Sequence, residues 1–163
     1  MNMYTHAPQD YKCPFCTIGR GSHKPTARFS PSDVIYHDGK VTAFIAYRQW
    51  PINPGNTLVI PNQHYENIYS LPDEIALSVH KLARGISLAM KRAYHCDGVS
   101  LRQHNEPAGN QDVWHYHVHV TPRYQGDNFY AGYTTQWQVM EAVERAQHAR
   151  LLRSHLSLLD TDH

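Results

Sequence analysis

Residues 115–119 read His-Tyr-His-Val-His, and they are the part of this 163-residue chain richest in potential chemistry. Side chains alternate along an extended strand, so His115, His117 and His119 share one face while Tyr116, Val118 and Val120 share the other. The second face is apolar enough to pack into a core. The first sets three titratable rings side by side. Charging them together costs repulsion, and burying them demands a hydrogen-bond partner for each. A face that carries such costs reads as a site. Two chemistries suit it. Neutral imidazoles two residues apart can converge on one metal ion. Alternatively, one ring is a nucleophile oriented through its other nitrogen while its neighbours bind developing charge. The pattern leaves both open.

The other candidate ligands are Cys13 and Cys16, a close pair of the kind that binds metal or cycles redox state when thiols are kept reduced. Cys96 reads as an ordinary buried thiol. The chain holds 13 histidines. Among them His6, His23, His148, His155 and His163 are scattered and read as solvated, without functional weight.

Elements must position these residues. Residues 1–11 read as a flexible arm, Cys13-Pro-Phe-Cys16 as a compact turn, and 19–32 as a Gly-, Ser- and Pro-rich loop. Two β-rich runs, 34–37 and 41–45, flank Asp38-Gly39 and predict a hairpin. Residues 57–60 form a short apolar strand ended by Pro61. Pro72, Asp73 and Glu74 suit a helix start. Ile75, Val79, Leu82, Ile86 and Met90 recur at helical spacing, so the helix runs to about Tyr94. Strands follow at 98–101 and 113–121, with a loop at 104–112, and a second helix is expected over 135–158. No repeat or linker divides the chain. The pattern predicts an α+β domain, a mainly antiparallel sheet with helices grouped to one side.

Composition narrows the function. Charged residues number 15 basic and 14 acidic, a formal charge of +1, with no Lys/Arg block to track a nucleic-acid polymer. No apolar run approaches the roughly 18 residues of a membrane span, and residues 1–11 are polar, without a signal core. A cytoplasmic protein acting on a small ligand is the expectation.

The histidine strand, followed by apolar residues and Pro122-Arg-Tyr, resembles the signature of the histidine triad (HIT) superfamily. Cys13-x-x-Cys16, Tyr36-x-Asp38, Ala43-Phe44, Pro54-Gly55-x-x-Leu58-Val-Ile-Pro61, His64 and Gln111 extend the match over roughly residues 12–124. Residues 125–163 form a C-terminal extension of the same domain, with no assigned counterpart. The resemblance implies an α+β fold, two subunits pairing into one continuous sheet, and hydrolysis or transfer at the α-phosphate of a nucleotide. His117 would be the nucleophile and His119 a phosphate contact. Gln111 would bind phosphate oxygens with the nearby loop, where Asn105 is the choice and His104 its competitor. Phe44, Asn56 and Asp112 complete the expected substrate-binding set.

The resemblance also implies a structural zinc held by Cys13, Cys16, His64 and His115, a closed Cys2His2 set. Three positions depart from the family pattern. Asn56 stands where a histidine is usual, Ala46 where an aspartate commonly binds ribose hydroxyls, and Asp112 where many relatives use serine. A carboxylate near a phosphate must be protonated, turned away or paired with a cation, so Asp112 either protonates a leaving group or only caps a turn. Two other functions compete: a nucleotide-binding protein with little turnover, and a triad that is itself a catalytic metal site. Tyr130, Tyr133 and Trp137 offer an aromatic wall, or simply the packing of a helix start.

Overall fold

Val41, Ala43 and Ile45 alternate with Thr42 and Phe44, and both sets are buried, so this run has packed material on each side. The computed structural model describes residues 4–132 and 135–157. Its strands are β1 (Val34–His37), β2 (Val41–Ile45), β3 (Arg48–Gln49), β4 (Thr57–Pro61), β5 (Gly98–Gln103), β6 (Val118–Arg123) and β7 (Gln138–Val139). Five of them form one sheet in the order β1-β2-β4-β6-β5, every neighbouring pair antiparallel. β3 and β7 pair separately. The α-helices among the described residues are α1 (Pro14–Gly19), α2 (Asp73–Tyr94), α3 (Phe129–Gly132) and α4 (Ala142–Ser157).

The expected hairpin is β1–β2. Asp38 Oδ1 accepts from the backbone N–H groups of Lys40 and Val41, at 2.7 Å each, which closes the turn. Helix α2 begins and ends within two residues of expectation, and its apolar stripe from Ile75 to Met90 packs on Val41, Ala43, Ile45, Val59, Val118 and Val120. Helix α4 lies against α2 through Ala149 and Leu152, both fully buried. It is locked by a buried ion pair, Arg145 Nε to Asp33 Oδ2 at 2.9 Å. The α+β architecture is therefore as the sequence predicts, and its two long helices share one face.

The opposite face carries a second core of Phe15, Ile18, Phe29, Phe44, Ala46, Leu58 and Ile60. Phe15 and Ile18 belong to α1, so the Cys-x-x-Cys segment is not merely a turn. It opens a short helix that covers the face on which His119 stands opposite Leu58.

Two other expectations need correction. The strand carrying the histidines begins at Val118, not Val113. Before it the chain bends: the His115 N–H bonds back to Val113 O at 2.8 Å, and the Tyr116 N–H goes to Tyr65 O. These bonds take backbone groups out of ladder pairing, yet the inward–outward alternation persists through them. The last helix begins at Ala142 rather than at 135. Gln138 and Val139 instead pair with β3, a long-range contact that local propensity does not register. Residues 4–11 are held in place: the His6 N–H donates to Glu66, Tyr4 O accepts from Asn67 Nδ2, and the Tyr11 hydroxyl accepts from the Trp114 N–H.

Candidate active site

His115 and His117 are buried, at 0% and 2% exposure, and backbone carbonyls set their tautomers. A carbonyl only accepts, so the nitrogen facing it must carry the proton. His115 Nε2 lies 2.9 Å from Pro61 O, which leaves Nδ1 with the lone pair. His117 does the reverse. Its Nδ1 donates to His115 O at 2.7 Å, and the lone pair sits on Nε2. Burial lowers the proton affinity of His115 to a pKa of about 4 and lowers that of His117 as well. His119 is also lowered well below the usual imidazole range, by burial and then by the neighbouring charges of His117 and Arg102, and its Nδ1 is buried without a partner.

His115 Nδ1 faces the thiols, 3.3 Å from Cys13 Sγ and 3.7 Å from Cys16 Sγ, and His64 Nδ1 lies 3.2 Å from Cys16 Sγ. All four ligand atoms fall within 4.8 Å of one another. Zn–S near 2.3 Å and Zn–N near 2.05 Å give sulfur-to-nitrogen tetrahedral edges of about 3.6 Å. The set therefore fits such an ion, and the His115–Pro61 bond supplies the carbonyl that commonly orients a ligating ring. Without a metal, burial pushes the Cys13 thiol up to about 12. Cys96, as expected, is a buried free thiol away from this group. His117 and His119 are not members of it.

Those two rings, with centroids 5.1 Å apart, instead line a cavity of about 490 Å³. Its size is that of a small-ligand pocket. One wall is aromatic. Phe15 and Phe29 meet Phe44 edge-on at 5.6 and 5.9 Å, and Phe15 also meets the edge of His117 at 5.4 Å. Such an aromatic wall suits contact with a flat ring in the cavity. The polar and charged part of the lining includes Arg28, Tyr47, Arg48, His104, Asn110 and Asp112, with Trp137 beside Arg48.

The remaining predicted residues divide. Phe44, Asn56 and Asp112 line the cavity. Asn56 is buried, and its Oδ1 accepts from the Thr121 hydroxyl at 2.9 Å. Asp112 is paired with Arg48 Nη1 at 3.1 Å, which resolves the placement of a carboxylate there in favour of a cation partner. Asn105 and Gln111 do not line the cavity. Asn105 bonds Gln103 and the Ile68 N–H, while Gln111 ties Glu66 O, Val113 O and the Glu106 N–H together. They hold the loop whose His104 reaches the cavity and gives Nδ1–H to Gly109 O. Within that loop Glu106 has φ 62° and ψ 166°, a region that side chains avoid. Of the three aromatics, Trp137 lines the cavity, Tyr130 lies beside Arg123 and Ser100 instead, and Tyr133 falls outside the described residues.

Sequence reasoning missed Phe15, Phe29, Arg28 and Arg48, which sit in segments without periodicity. It also missed Gln49, whose buried amide donates to Ala46 O and Asn56 O and accepts from the Gly55 and Asn56 N–H groups. That residue fixes the turn into β4. Three of the dismissed histidines have partners: His6 pairs with Glu106, His148 with the Tyr94 hydroxyl, and His155 with Leu151 O.

A five-stranded antiparallel sheet that sets a buried imidazole against an aromatic wall, with a Cys/His group behind it, is the frame of a histidine triad protein. The HIT domain family model matches residues 27–126, and the chain belongs to the HIT family. A Bacillus subtilis relative, "Protein hit", is 36% identical over 124 residues, covering 76% of this chain and 79% of that one. The adenylylsulfatase HINT3 of Arabidopsis thaliana is 27% identical over 148 residues, 90% of this chain and 71% of that one. Among solved structures, a Zn-bound histidine triad family protein from Mycobacterium smegmatis superposes with a TM-score of 0.73 at 28% identity, covering 93% and 98% of the two chains.

Proposed function

We propose that this chain hydrolyses or transfers nucleotides at the α-phosphorus through a covalent nucleotidyl-His117 intermediate. The observation that carries the reading is the tautomer of His117. With Nδ1–H given to His115 O, a neutral ring keeps its lone pair on Nε2 and lines the cavity beside an aromatic wall. Nε2 forms a bond to phosphorus as the bond to the leaving group breaks, and the leaving group departs with that electron pair. Water or another acceptor then attacks and gives up its proton to solvent, the N–P bond breaks, and His117 recovers its lone pair. His119 contacts the phosphate. Phe44 flanks the base, and Asn56 shapes the floor through Thr121. Asn105 and Gln111 act by holding the 104–111 loop. The Arabidopsis relative's name supports adenylylated small molecules as one substrate class.

Cys13, Cys16, His64 and His115 would hold a zinc ion, in keeping with the Zn-bound mycobacterial relative. With four protein ligands the ion leaves no open position, so it supplies bracing between α1 and the histidine segment rather than water activation. The reading includes a homodimer joined along a sheet edge. β5 is an edge strand with Leu101 exposed, and light scattering of the purified chain would read the dimer mass. A cytoplasmic location accords with three free cysteines and with the finding that no described helix is long and apolar enough to cross a membrane.

The test is intact-protein mass spectrometry after brief exposure to adenylylated and dinucleoside substrates. Wild-type protein gains one nucleotidyl mass and releases a nucleoside monophosphate, and His117→Ala does neither. Wild-type turnover by the variant would sink the assignment.

A further inference from the structure

Apart from its histidines, the described cavity is lined by three charged side chains, Arg28, Arg48 and Asp112. Two arginines less one aspartate leave the rim at +1. Arg48 comes from β3, whose partner β7 directly follows Trp137. Its guanidinium lies 4.3 Å from the Trp137 ring centroid and 5.9 Å from that of Tyr47, and Nη1 holds Asp112 at 3.1 Å. Its Nε is buried and has no partner. Arg28 lies 5.4 Å from the Tyr47 ring centroid. Stacked guanidiniums lose little further freedom when they bind an anion.

The Arg48–Asp112 pair lines the same cavity as His117. Its members act oppositely on an incoming anion. Asp112 repels it and Arg48 attracts it. A pair whose side chains are 40% and 61% exposed holds together weakly, so an anionic oxygen readily takes the carboxylate's place.

We infer that Arg48, stacked on Trp137 and assisted by Arg28, forms a subsite for an anionic leaving group, a phosphate or sulfate joined through the α-phosphate, with Asp112 as the competing anion. This rests on the proposed function and deepens it. When the bond to the α-phosphorus breaks, the leaving group keeps the electron pair as added negative charge. The Arg48 N–H groups stabilise that charge directly, without a proton donor.

The test is titration calorimetry on the zinc-replete full chain with AMP, carrying one anionic centre, and α,β-methylene-ADP, a non-cleavable ligand with two. Wild-type protein binds the diphosphate more tightly than AMP. Arg48→Met weakens the diphosphate about tenfold, the worth of one charge-assisted hydrogen bond, and moves AMP less than about twofold. Asp112→Asn tightens the diphosphate by about the same factor, a gain that a misfolded variant cannot imitate. The subsite is overturned if AMP binds but the diphosphate binds no better, if Arg48→Met weakens both ligands alike, or if Asp112→Asn fails to tighten the diphosphate. Those outcomes leave the His117 reading standing. A wild-type protein that binds neither ligand overturns both.

Discussion

His115 and His117 sit two residues apart, are both buried, and hold opposite tautomers. The difference lies in the backbone. Pro61 O claims Nε2 of one ring and His115 O claims Nδ1 of the other. One imidazole thereby offers the lone pair of Nδ1 and its neighbour that of Nε2, as the proposed metal ligand and nucleophile require. His119 has a different surrounding, with Nδ1 unpartnered beside His117, and suits a phosphate contact. We expect His119→Asn to lower kcat by about a hundredfold, the usual cost of one lost charge-stabilising donor, while the adduct on His117 still forms in single-turnover mass spectra. Gln49 acts through position alone. Gln49→Leu removes a partner from four buried backbone groups, of which Asn56 O keeps the Ala46 N–H, and should cost about 3 kcal/mol in urea unfolding.

At the scale of elements, two polar locks hold helices and turns against the sheet. Arg145 joins α4 to Asp33 at the start of β1, with both side chains buried. Arg145→Ala leaves the carboxylate without its counter-charge and should cost about 3–5 kcal/mol by chemical denaturation. The second lock is Asp127. It accepts from Arg123 at 2.7 Å on both oxygens, from Asn53 Nδ2 and from the Tyr124 and Phe129 N–H groups. Arg123 foremost holds its carboxyl well below the usual carboxylate range. The folded state therefore binds this proton less readily than the unfolded chain. The stabilisation is full above the unfolded value near 3.9 and is lost as pH falls toward the depressed folded value. Thermal melts of Asp127→Asn should start lower at pH 7 and fall less steeply than wild type below about pH 4.

Across the whole molecule, the Cys/His group ties α1, the β4–α2 loop and the histidine segment into one unit. Cys13→Ser should remove about one equivalent of zinc per chain by elemental analysis and lower stability. The loss is about 4 kcal/mol when free zinc stands a thousandfold above its dissociation constant. Unchanged zinc in that variant, with loss in His119→Ala, would move the ion to the triad and contradict the closed site. The sequence by itself determined the sheet, the α2 helix and which histidines share one face. Period-two and helical spacing are local properties, and the triad, thiols and His64 form a motif that can be read in order along the chain. Tertiary structure alone decided which nitrogen each ring presents, and that Asn105 and Gln111 hold a loop rather than line the cavity. It alone brought Arg28 and Arg48 to its rim and placed α1 on the second face. Those outcomes depend on carbonyls, rings and carboxylates contributed by segments far apart in the chain, and no local periodicity encodes such encounters.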